Sequence, residues 1–191
     1  MHLNAQNLID KTISAKSKYI FIELNFIENL EIQNSDHNQI EVISENDFGG
    51  SSNFILEEEK GIIKIKDIRK FEENKELNDK DCVVQPVYPS YLIRIPKNKE
   101  VKIMVTEGNL NIKDYKGNLS IDLERGIARI KSIHGKISLH INVGNVYCSV
   151  KDTELDIHTN MGFISTEGVI TGKEADERTV KGRIGEPKNK L

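Results

Sequence analysis

The sequence predicts an all-β fold, and within that class a solenoid of short strands. Glycine falls at 108, 117, 126, 135 and 144, nine residues apart each time. Apolar residues alternate after each glycine, as in Gly117-Asn118-Leu119-Ser120-Ile121. Composition agrees: there is no Trp, aromatics make up 6%, and Ile is abundant, which suits short strands with β-branched packing better than a helical bundle.

The 191 residues are enough for one domain with a real core. At 37% hydrophobic and 30% charged, the chain is foldable rather than disordered. A net charge of −3 with both signs interspersed gives no basic footprint, so nucleic acid is excluded as a partner class. The two cysteines, Cys82 and Cys148, form neither a disulfide framework nor a CxxC pair. Cys148 occupies an apolar position of the array and reads as a core residue. No apolar run reaches transmembrane length. Ala5-Gln6 has the look of a secretory cleavage site whose upstream part is missing, so residues 1–17 read as an N-terminal segment carrying a signal remnant, with an ordinary cytosolic start as the alternative.

The elements follow in order. Residues 19–24, 30–32, 40–43, 54–56 and 62–65 are alternating apolar runs separated by Asn, Asp, Ser and Gly clusters, and each reads as a strand. Residues 69–81 carry nine charges in thirteen positions, and 69–90 read as a charged loop inserted in one continuous domain spanning 1–191. Tyr91–Ile95 is a strand stopped by Pro96, which cannot donate to a ladder. Val101–Val105 follows, and then the regular array over 108–170. Thr153 stands where the next glycine is due, and Gly162 restores the pattern.

Nine residues fit two geometries. In an antiparallel meander each glycine marks a hairpin; in a solenoid two units make one coil of about 18 residues, and like residues stack. His140 and His158 are eighteen apart, as are Asn142 and Asn160, whereas the positions nine away hold unlike residues. Leu119, Ile137 and Leu155 make one apolar column, and Ile121, Leu139 and Ile157 another. The solenoid is favoured, with a hairpin array or two-sheet sandwich as the other reading.

The passage YLIRIPKNKEVKIMVTEGNLNIKDYKGNLSIDLERGIARIKSIHGKISLHINVGNVYCSV, with the later MGFISTEG and VKGRIGE, resembles the bacterial putative-adhesin family of unknown function. The shared pattern is a strand ending in Pro, a short charged turn, then Gly-punctuated strands over roughly residues 88–186. The resemblance implies a single-stranded right-handed parallel β-helix, exported to the periplasm, outer-membrane surface or exterior. It brings no catalytic residues and no cofactor.

No phosphate-binding loop, GxGxxG, HExxH, GxSxG or EF-hand loop is present in the sequence. At an eighteen-residue register Asp122, His140 and His158 share one outward column. Two imidazoles and a carboxylate suit zinc or nickel, but metal ligands must converge and a straight column keeps them parallel, so a solvated ladder is preferred. Asp122 and Asp156 could be taken as a catalytic pair, but among 30 acidic residues such pairs arise by chance. The other outward face carries Ile127, Arg129, Lys131, Asn145, Tyr147, Phe163 and Ser165. Outward Ile, Tyr and Phe beside Arg and Lys suit binding of a surface glycan or an envelope protein. The competing reading is that residues 1–68 or the charged loop cover this face. Asn118-Leu119-Ser120 matches a glycosylation sequon.

These readings lead to a non-enzymatic, adhesin-like or scaffolding module of the envelope, with Ile127, Arg129, Lys131, Tyr147 and Phe163 as its contact residues. The alternatives are a cytosolic scaffold that self-associates through its terminal coils and, last, a carbohydrate-active β-helix enzyme.

Overall fold

Residues 9–45, 54–68, 87–167 and 170–184 are described by a computed structural model, and among them every regular element is a strand. In chain order these are β1 (Ile9–Ser14), β2 (Tyr19–Ser35), β3 (Gln39–Glu45), β4 (Phe54–Glu59), β5 (Ile62–Asp67), β6 (Ser90–Pro96) and β7 (Lys99–Lys113). There follow β8 (Gly117–Lys131), β9 (Lys136–Ser149), β10 (Thr153–Met161), β11 (Ile164–Glu167), β12 (Ile170–Ala175) and β13 (Thr179–Ile184). The runs 19–24 and 30–32 join in the single strand β2, and Ile9–Ser14 is a strand that alternation did not reveal. Cys82, Ala5-Gln6 and the charged run 69–81 lie outside the described residues.

From β7 onward the chain returns to its own register after eighteen residues. Val101 faces Leu119, Leu119 faces Ile137, and Ile137 faces Leu155, all in parallel pairs. The second half of the stack continues with Val146 opposite Ile164 in β11. Parallel pairing over 99–167 rules out a hairpin at each glycine.

The layers built on β7, β8 and β9 each bury six apolar side chains in eighteen. Leu119, Ile121 and Leu123 point inward from the first half of one layer, and Ala128, Ile130 and Ile133 from the second. Two-thirds of each layer is therefore free to be polar, which is how a chain only 37% hydrophobic fills its core. Inward positions are odd-numbered before Gly126 and even-numbered immediately after it, so the strand turns a corner there. Gly126 has φ +149°, and a Cβ on it would lie 1.8 Å from the Gly108 carbonyl oxygen. Gly144 stands on Gly126, and Gly162 on Gly144, in the same way. Gly117 and Gly135 stack at a second corner. The nine-residue spacing is thus half the register, split between two corner columns. Thr153 takes the third place in the second column, where its buried hydroxyl donates to the Ile133 carbonyl at 2.5 Å.

The sequence predicted one wholly parallel path; the sheet is instead mixed. Its order is β1-β3-β6-β2-β7-β8-β9-β10-β13-β12, with β11 on β9, and β5 on β2 carrying β4. β2 runs parallel to β7, with an irregularity between Phe26 and Asn29 where Ile27 fills the corner beside Gly108. At the N-terminal end β4 pairs antiparallel with β5, and β1 and β6 antiparallel with β3. At the other end β13 crosses β10 antiparallel and β12 folds back on β13. The physical reason is edge protection: a bare parallel layer presents unpaired N–H and C=O groups, and an antiparallel hairpin covers them within one chain.

Candidate functional site

Because the register is parallel, outward side chains form straight columns about 4.8 Å apart from layer to layer. Asn109, Ile127 and Asn145 make one such column on β7, β8 and β9, and Asn111, Arg129 and Tyr147 the next. Ser165 of β11 lies beside Tyr147. Lys113, Lys131 and Ser149 form the third column. The residues singled out from the sequence are therefore brought together on one face, spanning β8, β9 and β11 and the Gly162 corner.

Tyr147 is 39% exposed and Phe163 42% exposed, so residues 9–45 and 54–68 leave their rings open to solvent. The two rings meet edge to face, with centroids 5.6 Å apart at 89°. The Arg129 guanidinium lies over the Tyr147 ring, 5.7 Å from its centroid. At this distance the cation is attracted by the ring's π face. The Phe163 backbone N–H donates to Asn145 Oδ1 at 3.1 Å, so the ring's position is tied to the layer beneath.

Two neighbours were not anticipated. Met161 is 60% exposed and half-buried Val143 stands beside it in register, on the other flank of the glycine corner. Val143 and Met161 precede the stacked corner of Gly144 and Gly162, and the Tyr147–Phe163 ring pair follows it. Strict alternation would turn Met161 inward with Leu155, Ile157 and Thr159; it is exposed because the Gly162 corner breaks the alternation there.

The charges sort differently on the two broad faces. Around the trough of about 440 Å³ lined by Tyr19, Phe21, Ile62, Ser120 and Ser138, every nearby cation has a carboxylate. Lys18 pairs with Glu100 at 2.5 Å, Lys66 with Glu23 at 2.7 Å and Lys136 with Glu154 at 3.0 Å. Hydrogen bonding to Glu100, then its charge, raises the Lys18 ammonium above its ordinary value, and Glu154 does the same to Lys136. On the Tyr147 face, Arg129 and Lys131 have no carboxylate within ion-pair distance among the described residues.

Asp122, His140 and His158 do stand in register on β8, β9 and β10. The imidazoles stack with centroids 5.6 Å apart. His158 has Thr179 Oγ1 3.1 Å from Nδ1 and Asn160 Oδ1 2.9 Å from Nε2, while Asp122 lies 3.8 Å from Lys102 Nζ. The polar atoms of His158 and Asp122 are engaged sideways, and among the described residues no three His, Cys, Asp or Glu side chains form a metal-binding group. Asp156 pairs with Lys181 at 3.4 Å. Cys148 is buried, and burial pushes its thiol up to about 12.

No described protein family matches the chain, and no curated protein does. Several solved structures are similar to the chain at low TM-score. A putative cell adhesion protein from Clostridium sporogenes is 17% identical, with a TM-score of 0.49 over 76% of this chain and 72% of that one. A putative adhesin from Bacteroides fragilis is 12% identical, with a TM-score of 0.37 over 84% of this chain and 87% of that one. A putative lipid binding protein from Parabacteroides distasonis is 15% identical, with a TM-score of 0.32 over 86% and 77%. At such values these likenesses carry no function to this chain. No helix among the described residues is long and apolar enough to cross a membrane.

Proposed function

We propose that this protein is a non-enzymatic, adhesin-like module of the cell surface, exported and built as a β-solenoid of eighteen-residue coils, which binds a surface glycan through the Tyr147 face. One observation carries the reading. Tyr147, Phe163 and Met161 are exposed together at the corner of rigidly stacked layers. Clustered exposed apolar side chains rimmed by polar groups are characteristic of binding surfaces. Aromatic rings beside hydroxyls and a guanidinium suit the C–H faces and hydroxyls of a sugar. The resemblance of the Gly-punctuated strands to the adhesin family agrees with this reading.

The antiparallel hairpins at both ends weigh against a scaffold that grows end to end, since they occupy edges that a second copy would need. The sideways engagement of Asp122 and Asp156 by lysines weighs against a glycosidase.

The test is an array of neutral and acidic surface glycans, probed with the full chain and with the double variant Tyr147→Ala, Phe163→Ala. The expected result is wild-type binding to at least one glycan class, lost in the variant while Tm stays unchanged. Binding that survives the double substitution, or no glycan bound by the wild type, would overturn the reading.

A further inference from the structure

We infer that the glycan bound on the Tyr147 face is an acidic polysaccharide whose sugars carry carboxylates. The inference rests on the surface-binding reading above and adds the chemical class of the ligand.

Elsewhere on the layered surface several exposed cations have a carboxylate one strand away, while Lys11 and Lys99 are satisfied by backbone carbonyls. Lys136 faces Glu154, Lys181 faces Asp156, Arg94 faces Glu41 at 2.8 Å, and Lys102 reaches Asp122 diagonally at 3.8 Å. Opposite charges one strand apart attract across parallel and antiparallel pairs alike. Arg129 and Lys131 have no such partner among the described residues. Their in-register neighbours are Asn111 and Lys113 on one side, Tyr147 and Ser149 on the other, none of them an acid. The two carboxylates at the margins are engaged: Glu31 accepts from Lys113 Nζ at 3.3 Å and from Gln33, and Glu167 accepts from the Ser149 hydroxyl at 2.6 Å.

The Arg129 guanidinium lies over the Tyr147 ring, 5.7 Å from its centroid, and no ion pair among the described residues occupies its N–H groups, which stay available to a planar acceptor. A carboxylate matches that edge with two parallel hydrogen bonds, which a neutral hydroxyl cannot do. Lys131, two residues along the same strand and on the same face, supplies a second point charge. Between and beyond them lie an aromatic pair and the hydroxyls of Tyr147, Ser149 and Ser165. An alternation of stacking ring, guanidinium, ammonium and hydroxyl suits a chain of pyranose rings bearing carboxylates. Among the described residues the face is left exposed at Tyr147 and Phe163, which fits a polymer laid along it better than an enclosed small molecule. Two unpaired cations on a chain of net charge −3 are too few for nucleic acid, where phosphate density demands a basic stripe.

The experiment measures binding of the full chain to polygalacturonate, alginate and hyaluronate, with fully methyl-esterified polygalacturonate as the uncharged control and poly-glutamate as the acidic peptide control. At least one polyuronate is expected to bind at least about tenfold more tightly than the ester, as charge-assisted hydrogen bonds allow. Binding should weaken as salt rises, because the contacts lie within a Debye length of solvent. Arg129→Gln with Lys131→Gln should remove that advantage, and Arg129→Lys should restore only part of it. Equal binding of ester and acid, equal binding of poly-glutamate, no effect of the Gln variant, or failure of all three polyuronates would overturn the inference. If a neutral glycan on the array still depends on Tyr147 and Phe163, the surface-binding reading survives that failure. If no glycan binds at all, both fall.

Discussion

Asn145 Oδ1 accepts the backbone N–H of Phe163, eighteen residues further on, at 3.1 Å. Asn118 Oδ1 does the same for Lys136 N at 3.2 Å, also eighteen residues on. Both asparagines follow a corner glycine, Gly144 and Gly117. A corner interrupts the backbone ladder, and the amide side chain supplies the missing acceptor for the layer above.

Asn145→Ala should therefore cost about 1 kcal/mol, the net worth of one hydrogen bond, and Asn145→Asp much less because the acceptor remains. Urea unfolding of the two variants checks this. Equal losses would show that the acceptor at the corner contributes nothing.

Glycine at these corners is required by contact as well as by torsion. A Cβ on Gly144 would sit 1.7 Å from the Gly126 carbonyl oxygen, whereas at Gly61, with φ +76°, it would meet nothing within 4 Å. Gly144→Ala should destabilise the chain by about 3 kcal/mol or more, as backbone must move. Gly61→Ala should cost only the torsional strain, about 1–2 kcal/mol. Comparable midpoints for the two in urea would contradict the stacked-corner geometry.

The same corners explain what could be read from sequence and what could not. The register was visible because like residues recur at eighteen, and His140 and His158 do stack as that spacing required. The contact face was visible because outward and inward positions alternate, so Tyr147 and Arg129 had to share a side. Strand direction was not visible. Thr179–Ile184 alternates like its parallel predecessors, yet pairs antiparallel with β10, because periodicity records which face a side chain takes and not which way the chain runs. Ile9–Ser14 escaped because it joins the sheet through backbone pairing to β3. Met161 escaped because its exposure depends on standing at the last Gly162 corner.

Inward and outward neighbours should respond oppositely to truncation. Ile130 is fully buried in the core, and Arg129 beside it points to solvent. Ile130→Ala should cost about 2–5 kcal/mol through lost burial and a cavity, and Ile130→Val about 0.5–1.5 kcal/mol. Arg129→Ala should stay within about 0.5 kcal/mol in stability. A larger loss for Arg129→Ala than for Ile130→Val in thermal or urea unfolding would mean that the guanidinium has a structural role, and its assignment to ligand contact would have to be withdrawn.

Alkaline pH should unfold the protein through two buried groups. Burial raises the Cys148 thiol from its ordinary 9.0 to about 12, and burial likewise raises the Tyr115 hydroxyl above its ordinary 10.0. In the unfolded chain the thiol loses its proton above 9.0, while the folded chain keeps it up to about 12. Across that window the unfolded state binds fewer protons, so stability falls as pH rises; Tyr115 adds to the slope from 10.0 upward. Below 9.0 both groups are protonated in either state and contribute no pH dependence. Urea midpoints measured from pH 8 to pH 11 should decline for the wild type. Cys148→Ala should start lower, through its cavity, but decline less between 9.0 and 10.0. Tyr115→Phe, which gives up the hydroxyl's 3.2 Å hydrogen bond to the Lys99 carbonyl, should flatten the curve above 10.0. If the double variant declines as steeply as the wild type, the alkaline slope belongs to other groups, and the protonated burial of Cys148 and Tyr115 has no thermodynamic consequence.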